Sequence, residues 1–94
     1  PAETGPAGDW IGLEAFPNPV RGAGTVRFAL DRAQTVRLAL YDALGRQVAV
    51  VAEGAFAAGA ATAALPTAGL APGVYVLRLD GETVAVTRTV SVVR

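Results

Sequence analysis

Residues 35–52 have the sequence TVRLALYDALGRQVAVVA, in which two alternating runs flank a short turn. Every second residue in these runs is a large aliphatic one, namely Val36, Leu38 and Leu40, then Val48 and Val50. Because successive side chains of a strand point to opposite faces, each run predicts a strand with one apolar face. The turn over residues 42–45 ends in Gly45, which suits a type I turn closed by a residue with positive φ. The stretch therefore predicts an antiparallel β-hairpin.

The same alternation recurs along the rest of the chain. It predicts seven short strands, at residues 13–16, 25–30, 35–41, 47–52, 61–65, 73–80 and 83–93. Turn-forming residues separate them at the spacing typical of a β-sandwich, and Asp80 with Gly81 marks the clearest tight hairpin. No window shows a sustained apolar stripe of helical period. We therefore predict an all-β fold, a seven-stranded antiparallel β-sandwich.

Because alternate residues of a strand lie on the same face, one set of large apolar residues is expected to point to the same side of the predicted sheets. Its members are Val26, Phe28, Leu30, Val36, Leu38, Leu40, Val48, Val50, Leu65, Leu77 and Leu79. We predict that they form one core between two sheets. Arg27, Arg37 and Arg78 alternate with core positions and are expected on a solvated sheet face, where charge also discourages edge pairing.

The domain boundaries follow from composition. Residues 1–12 lack periodicity and begin with proline, glycine and acidic residues, so we expect a linker from an upstream protein. Residues 13–94 carry the alternating pattern and are long enough for one modest core. Residues 54–77 contain no charge, but four glycines and two prolines interrupt them, which argues against a transmembrane segment.

The residue types that carry most enzyme chemistry are missing. Cysteine and histidine are absent, and Ser91 is the sole serine, which excludes Cys/His metal sites, thiol nucleophiles and Ser-His-Asp arrangements. Eight basic residues balance eight acidic ones, so the net charge of zero gives no support to a nucleic-acid partner. We predict no enzyme activity, no metal site and no cofactor.

The acidic residues could in principle form catalytic or calcium-binding pairs. Asp80 and Glu82 flank a predicted hairpin turn, while Asp42 and Glu53 lie at strand ends. No local spacing here resembles a calcium loop, and strand ends commonly carry solvated acids. We therefore assign these carboxylates structural roles.

Residues 70–75, LAPGVY, resemble the tyrosine corner of Greek-key sandwiches. In that arrangement the Tyr75 hydroxyl would donate a hydrogen bond to a backbone carbonyl within residues 65–71. Gly73 opens the strand, and we expect both Gly73 and Gly45 to adopt backbone angles that other residues resist. This reading of Tyr75 is structural and is preferred to a binding role.

The last predicted strand contains one residue out of pattern. Val84, Val86, Val90 and Val92 share a face, and Arg88 falls among them. One interpretation is structural: a bulge breaks the register, or charge protects a sheet edge. The other is that a partner reads this end of the strand.

Four segments in this order resemble a known family: residues 16–19 (FPNP), 36–48, 70–79 and 87–94 (TRTVSVVR). Together they are similar to the type A C-terminal sorting domain of proteins exported by the type IX secretion system of Bacteroidetes and related bacteria. The resemblance covers residues 13–94. It departs from the family at Arg88, where such domains usually have lysine.

The resemblance implies an immunoglobulin-like sandwich that directs a larger cargo from the periplasm through the outer-membrane translocon. It also implies that a surface transpeptidase removes the domain and joins the cargo to a lipopolysaccharide anchor, at the cell surface, or that the cargo is released. Without reactive groups, recognition would use a surface. The candidate residues are Pro17, Asn18, Pro19, Arg88, Val90, Val92, Val93 and Arg94.

The alternative function is a passive immunoglobulin-like spacer or a carbohydrate-binding module of a secreted protein. A sugar platform normally needs exposed aromatic side chains, and the available ones are Trp10, Tyr41 and Phe56. An enzyme is the third class, and it is the least supported by the residues present.

Overall fold

The computed structural model describes residues 12–93, which form eight β-strands. The strands are β1 (Gly12–Phe16), β2 (Val20–Arg21), β3 (Gly24–Leu30), β4 (Gln34–Tyr41), β5 (Gln47–Phe56), β6 (Gly59–Leu65), β7 (Gly73–Gly81) and β8 (Ala85–Val93). All seven predicted strands are present, and the predicted count is wrong by one. β2 has only two residues, too few to show alternation.

The strands form two sheets. One has the order β1-β3-β6 and the other has the order β2-β8-β7-β4-β5. All pairings are antiparallel except that of β2 with β8, which is parallel, so the prediction of purely antiparallel pairing is wrong at this edge. The all-β class is confirmed. Within the described range, no helix has the length and apolar character needed to span a bilayer.

The core lies between the two sheets and contains residues from both. Every predicted core residue is buried except Val48 and Val50. Leu38 is 0% exposed, whereas the side chain of the adjacent Arg37 is 48% exposed. The predicted register of β4 is therefore confirmed.

Val48 and Val50 are 38% and 42% exposed, so their placement in the core was wrong. The cause is two register shifts between β4 and β5, which make Val48 and Val51 the extra residues of the bulged strand. Each inserted residue reverses the alternation that follows it. The residues of this segment that pack against the core are instead Ala49, Val51 and Ala52.

The β4–β5 turn has the predicted geometry. The Gly45 N–H donates to the carbonyl of Asp42 at 3.0 Å, and Gly45 has a φ of 84°. The Asp42 carboxylate accepts hydrogen bonds from the main-chain N–H groups of Leu44 and Arg46, at 2.9 and 3.0 Å. The side chain of Asp42 therefore satisfies donors that the turn leaves outside the sheet.

The β7–β8 hairpin forms where predicted, but its tip is Glu82 with Thr83 instead of Asp80 with Gly81. The Gly81 N–H donates to the Val84 carbonyl at 2.8 Å, so Gly81 belongs to the ladder. Gly81 is required for space: a Cβ there would lie 2.5 Å from Oε1 of Gln34. Gln34 is buried, and its Oε1 accepts from the Thr83 N–H at 3.0 Å.

The predicted tyrosine corner is present at the start of β7. The Tyr75 hydroxyl donates to the Ala71 carbonyl at 2.6 Å, and Tyr75 is buried. Gly73 has a φ of 159°, close to extended backbone. The hydroxyl bond fixes the loop before β7 against the sheet.

Candidate functional site

The two regions predicted separately as recognition candidates lie side by side in the structure. Nδ2 of Asn18 donates to the Thr89 carbonyl at 3.3 Å, and Oδ1 of Asn18 accepts from the Ser91 N–H at 3.1 Å. Asn18 belongs to the loop between β1 and β2, whereas Thr89 and Ser91 belong to β8. A single side chain thus attaches the loop to the terminal strand.

The loop itself presents rigid, exposed residues. Pro17, Asn18 and Pro19 are all exposed, and the peptide bonds before both prolines are cis. Val20, which follows directly, is completely buried and begins β2. The loop is therefore anchored on one side by a core residue and on the other by the hydrogen bonds of Asn18.

β8 is an edge strand over most of its length. Its pairing with β7 continues without a shift from Val92 opposite Gly73 to Ala85 opposite Asp80, so a bulge does not explain Arg88. On the other side, β2 pairs only with Val92 and Val93. Within residues 12–93, the outer edge of residues 85–91 has no strand partner.

Arg88 faces the space between the two sheets. It lies opposite the buried Leu77, yet the residue is exposed, and its Nε donates to the Leu13 carbonyl at 2.8 Å. Leu13 belongs to β1, at the edge of the other sheet. The hydrogen bond from the Arg88 guanidinium therefore connects β8 of one sheet with β1 of the other.

A groove of about 550 Å³ lies between β1 and β8. It is lined by Glu14, Ala15, Asn18, Thr87, Arg88 and Thr89. We define the loop–strand surface as Pro17, Asn18, Pro19, Thr87, Arg88 and Thr89. Sequence reasoning missed Glu14, Ala15 and Thr87 as site residues, because only the topology brings β1 next to β8.

The remaining candidates are less accessible or lie outside the described range. Val90 and Val92 are 0% and 5% exposed, so their side chains are part of the core. Val93 is half-buried and pairs with Arg21 of β2. Arg94 lies outside the described residues. Among the sequence-predicted candidates that the structure describes, the exposed side chains are therefore those of Pro17, Asn18, Pro19 and Arg88.

The carboxylates singled out in the sequence each face an arginine. The pairs are Asp42 with Arg46 at 2.9 Å, Glu53 with Arg37 at 3.8 Å, Asp80 with Arg78 at 2.8 Å and Glu82 with Arg32 at 2.9 Å. The main-chain N–H of Arg46, followed by its side chain, holds the pKa of Asp42 below its ordinary value. Across residues 12–93 no group of three or more His, Cys, Asp or Glu side chains is placed to hold a metal ion.

The described residues form a two-sheet β domain in which an exposed proline loop lies beside a strand edge. The chain belongs to the family of secretion system C-terminal sorting domains, whose family model matches residues 14–93. This is the type IX secretion family that the sequence resembles. Comparisons with curated proteins and with solved structures gave no match.

Membership of this family defines the coarse function. Its domains are sorting signals of a secretion system and are in general not catalysts. Such a domain is fused to a cargo, interacts with the type IX machinery, and implies export to the cell surface or the extracellular space.

Proposed function

We propose that residues 13–94 are the sorting signal that directs a larger cargo, joined through residues 1–12, to the type IX translocon. The translocon recognises the loop–strand surface, and the domain performs no chemistry. The observation that carries this proposal is the attachment of the Pro17–Pro19 loop to β8 by Asn18, in a chain of the sorting-domain family. The two candidate regions then form one surface.

Two features of this surface suit protein recognition. The outer edge of residues 85–88 offers main-chain donors and acceptors to an added strand, which is a common source of affinity between proteins. Arg88 and the rigid prolines supply side chains that distinguish partners. The main-chain part gives affinity and the side chains give specificity.

The finer steps are also proposals, supported by the family alone. The cargo crosses the periplasm, the domain engages the outer-membrane translocon, and a surface transpeptidase then removes it. The cargo is joined to a lipopolysaccharide anchor or released. We propose in addition that the two-sheet fold is immunoglobulin-like, which the tyrosine corner at Tyr75 supports.

The alternative, a spacer or carbohydrate-binding module, gains little from the aromatic residues. Phe56 packs edge-on against the buried Phe28, with ring centroids 5.3 Å apart, so its ring packs against the core instead of forming a flat exposed surface. Tyr41 is only half-exposed, and Trp10 lies outside the described residues. No flat pair of exposed rings supports a sugar platform within residues 12–93.

The sorting proposal is tested by fusing residues 10–94 behind a signal peptide and a fluorescent reporter in a type IX-competent host. The intact fusion should reach the cell surface or the medium. Deleting residues 90–94 should retain the reporter in the periplasm, but it also removes Val90 and Val92 from the core. A substitution is therefore the sharper experiment.

Arg88→Ala tests the surface without removing core residues, and Arg37→Ala is the matched control. Arg37 is also an exposed arginine in the same sheet, and it contacts Glu53 and Gln47 of β5, at the opposite end of the sheet from β8. We expect Arg88→Ala to lower export of folded protein and Arg37→Ala to leave it unchanged. Equal export of the intact, truncated and Arg88→Ala fusions would refute the sorting function and favour the spacer.

A further inference from the structure

We propose that Asn18 is a positioning residue whose side-chain carboxamide replaces a main-chain peptide group in the β2–β8 ladder. By doing so it holds Pro17 and Pro19 at a fixed place beside β8. This inference rests on the proposed function, in which the translocon binds the loop and the strand at the same time. Its structural part can be tested without any translocon.

The register of β2 against β8 is the first step. Val20 lies opposite Val92 and Arg21 opposite Val93, in parallel orientation. Continued by two residues, this register places residue 18 opposite Val90. In a parallel ladder the residue at that place donates its N–H to the carbonyl before Val90 and accepts from the N–H after it.

Those two partners are Thr89 and Ser91, and they are the groups that the Asn18 side chain contacts. Nδ2 donates to the Thr89 carbonyl at 3.3 Å, and Oδ1 accepts from the Ser91 N–H at 3.1 Å. The carboxamide thus makes the pair of bonds that the main chain of a longer β2 would make. The ladder on the outer edge of β8 extends from Val93 back to Thr89.

The chemistry of this position is specific. A carboxamide has one acceptor oxygen and an N–H donor in the planar geometry of a peptide group, whereas a carboxylate has acceptors only. Glutamine has the same group but one more methylene, which would move the loop relative to β8. Pro17 and Pro19 have no N–H, so the loop main chain offers few donors of its own.

The consequence for recognition is a fixed division of the β8 edge. Asn18 and β2 occupy the outer edge of residues 89–93, while that of residues 85–88, beside the groove, has no strand partner among residues 12–93. Asn18 sets the spacing between the exposed prolines and this open segment. A partner that binds both needs that spacing.

The ladder is tested with Asn18→Asp, which has nearly the same shape. The ionised side chain can still accept from the Ser91 N–H, but it has no donor for the Thr89 carbonyl. At neutral pH the variant therefore keeps one of the two bonds and loses the other. We measure amide hydrogen exchange at Ser91 and the thermal unfolding midpoint of this variant, of Asn18→Ala and of the parent at neutral pH.

The Ser91 N–H should exchange faster with solvent in Asn18→Ala than in the parent, and it should stay protected in Asn18→Asp, which retains the acceptor. Both variants should unfold at a lower temperature than the parent, because neither donates to the Thr89 carbonyl. Equal exchange at Ser91 in Asn18→Ala and in the parent would overturn the ladder.

The positioning role is tested with the reporter fusion. Asp42→Ala is the matched control, because Asp42 also makes two side-chain-to-main-chain hydrogen bonds, to Leu44 and Arg46, in a turn remote from β2 and β8 in sequence. At equal folded fraction, Asn18→Ala should reduce export several-fold and Asp42→Ala should not. Asn18→Gln should retain more stability than Asn18→Ala while its export remains low.

Three outcomes separate the possible failures. Export of Asn18→Ala equal to that of the parent would overturn the positioning role alone. If export of Asn18→Ala and of Asp42→Ala fell only in proportion to their loss of stability, Asn18 would have a structural role alone, and the positioning role would again be overturned. Failure of the unchanged fusion to be exported would refute the proposed function, and the exchange experiment would still decide whether the ladder exists.

Discussion

Replacing Leu38 with alanine should remove a large part of the stability of this domain. Leu38 is completely buried, and it pairs with Ala52 of β5 on one side and Leu79 of β7 on the other. The loss of three carbon atoms corresponds to a transfer free energy of about 2.4 kcal/mol, at about 0.8 kcal/mol for each buried carbon. The unfilled cavity raises the expected loss to about 2–5 kcal/mol. Chemical denaturation followed by circular dichroism measures the free energy of unfolding.

The size of this effect can be judged against the total. A domain of this length has a free energy of unfolding of about 5–15 kcal/mol, so the variant should lose a substantial fraction of it. Val50→Ala is the control, since Val50 belongs to the adjacent strand but is 42% exposed, and its loss should be about 1 kcal/mol or less. If Leu38→Ala were no more destabilising than Val50→Ala, the assignment of the core face would be wrong.

Three further predictions concern turns and the tyrosine corner. Gly45→Val should lower the free energy of unfolding by about 1 kcal/mol or more, because a β-branched residue is strained at positive φ; an unchanged denaturation midpoint would contradict this. Tyr75→Phe should lower it by about 0.5–1.5 kcal/mol through loss of the bond to Ala71, and equal stability would show that the bond contributes nothing. The pKa of Asp42 is lowered in the folded state by the N–H of Arg46, so its contribution to stability is present above the ordinary value of 3.8 and is lost as pH falls through the folded pKa. A pH titration of the unfolding midpoint should show a smaller acid loss in Asp42→Asn, and identical curves would contradict the assignment.

Alternation predicted the fold well wherever strands pair without insertions. Arg37 and Leu38 lie on the faces that the pattern assigns to them. Val48 and Val50 do not, because the alternation rule assumes one residue opposite one residue, and the bulges of β5 break that rule. Nothing in a run of small and β-branched residues distinguishes a bulged strand from a regular one.

The Asp80 and Gly81 pair illustrates a different kind of error. The dipeptide is typical of tight turns because glycine tolerates positive φ, yet here the glycine is needed because Gln34 and Val84 leave no room for a Cβ. The sequence therefore predicted the β7–β8 hairpin correctly but placed its turn two residues too early. The observed turn, at Glu82 and Thr83, lies where Gln34 accepts a hydrogen bond from the Thr83 N–H.

The candidate site could be predicted only in parts. The prolines, Asn18 and Arg88 stand out in the sequence as rigid, unique or out-of-pattern residues. Their assembly depends on the parallel β2–β8 pairing, which involves two residues of each strand and has no detectable pattern. The groove residues Glu14 and Thr87 come together because β1 of one sheet lies next to β8 of the other, which the sequence pattern does not reveal.

The bonds that assemble the loop–strand surface connect residues 71, 73 and 75 positions apart. Contacts of such long sequence separation cannot form before the distant partner has been synthesised. A ribosome must therefore translate β8 before Asn18 and Leu13 find their partners. An export apparatus that recognises this surface would not engage cargo whose synthesis stopped before β8, because such a chain lacks the surface.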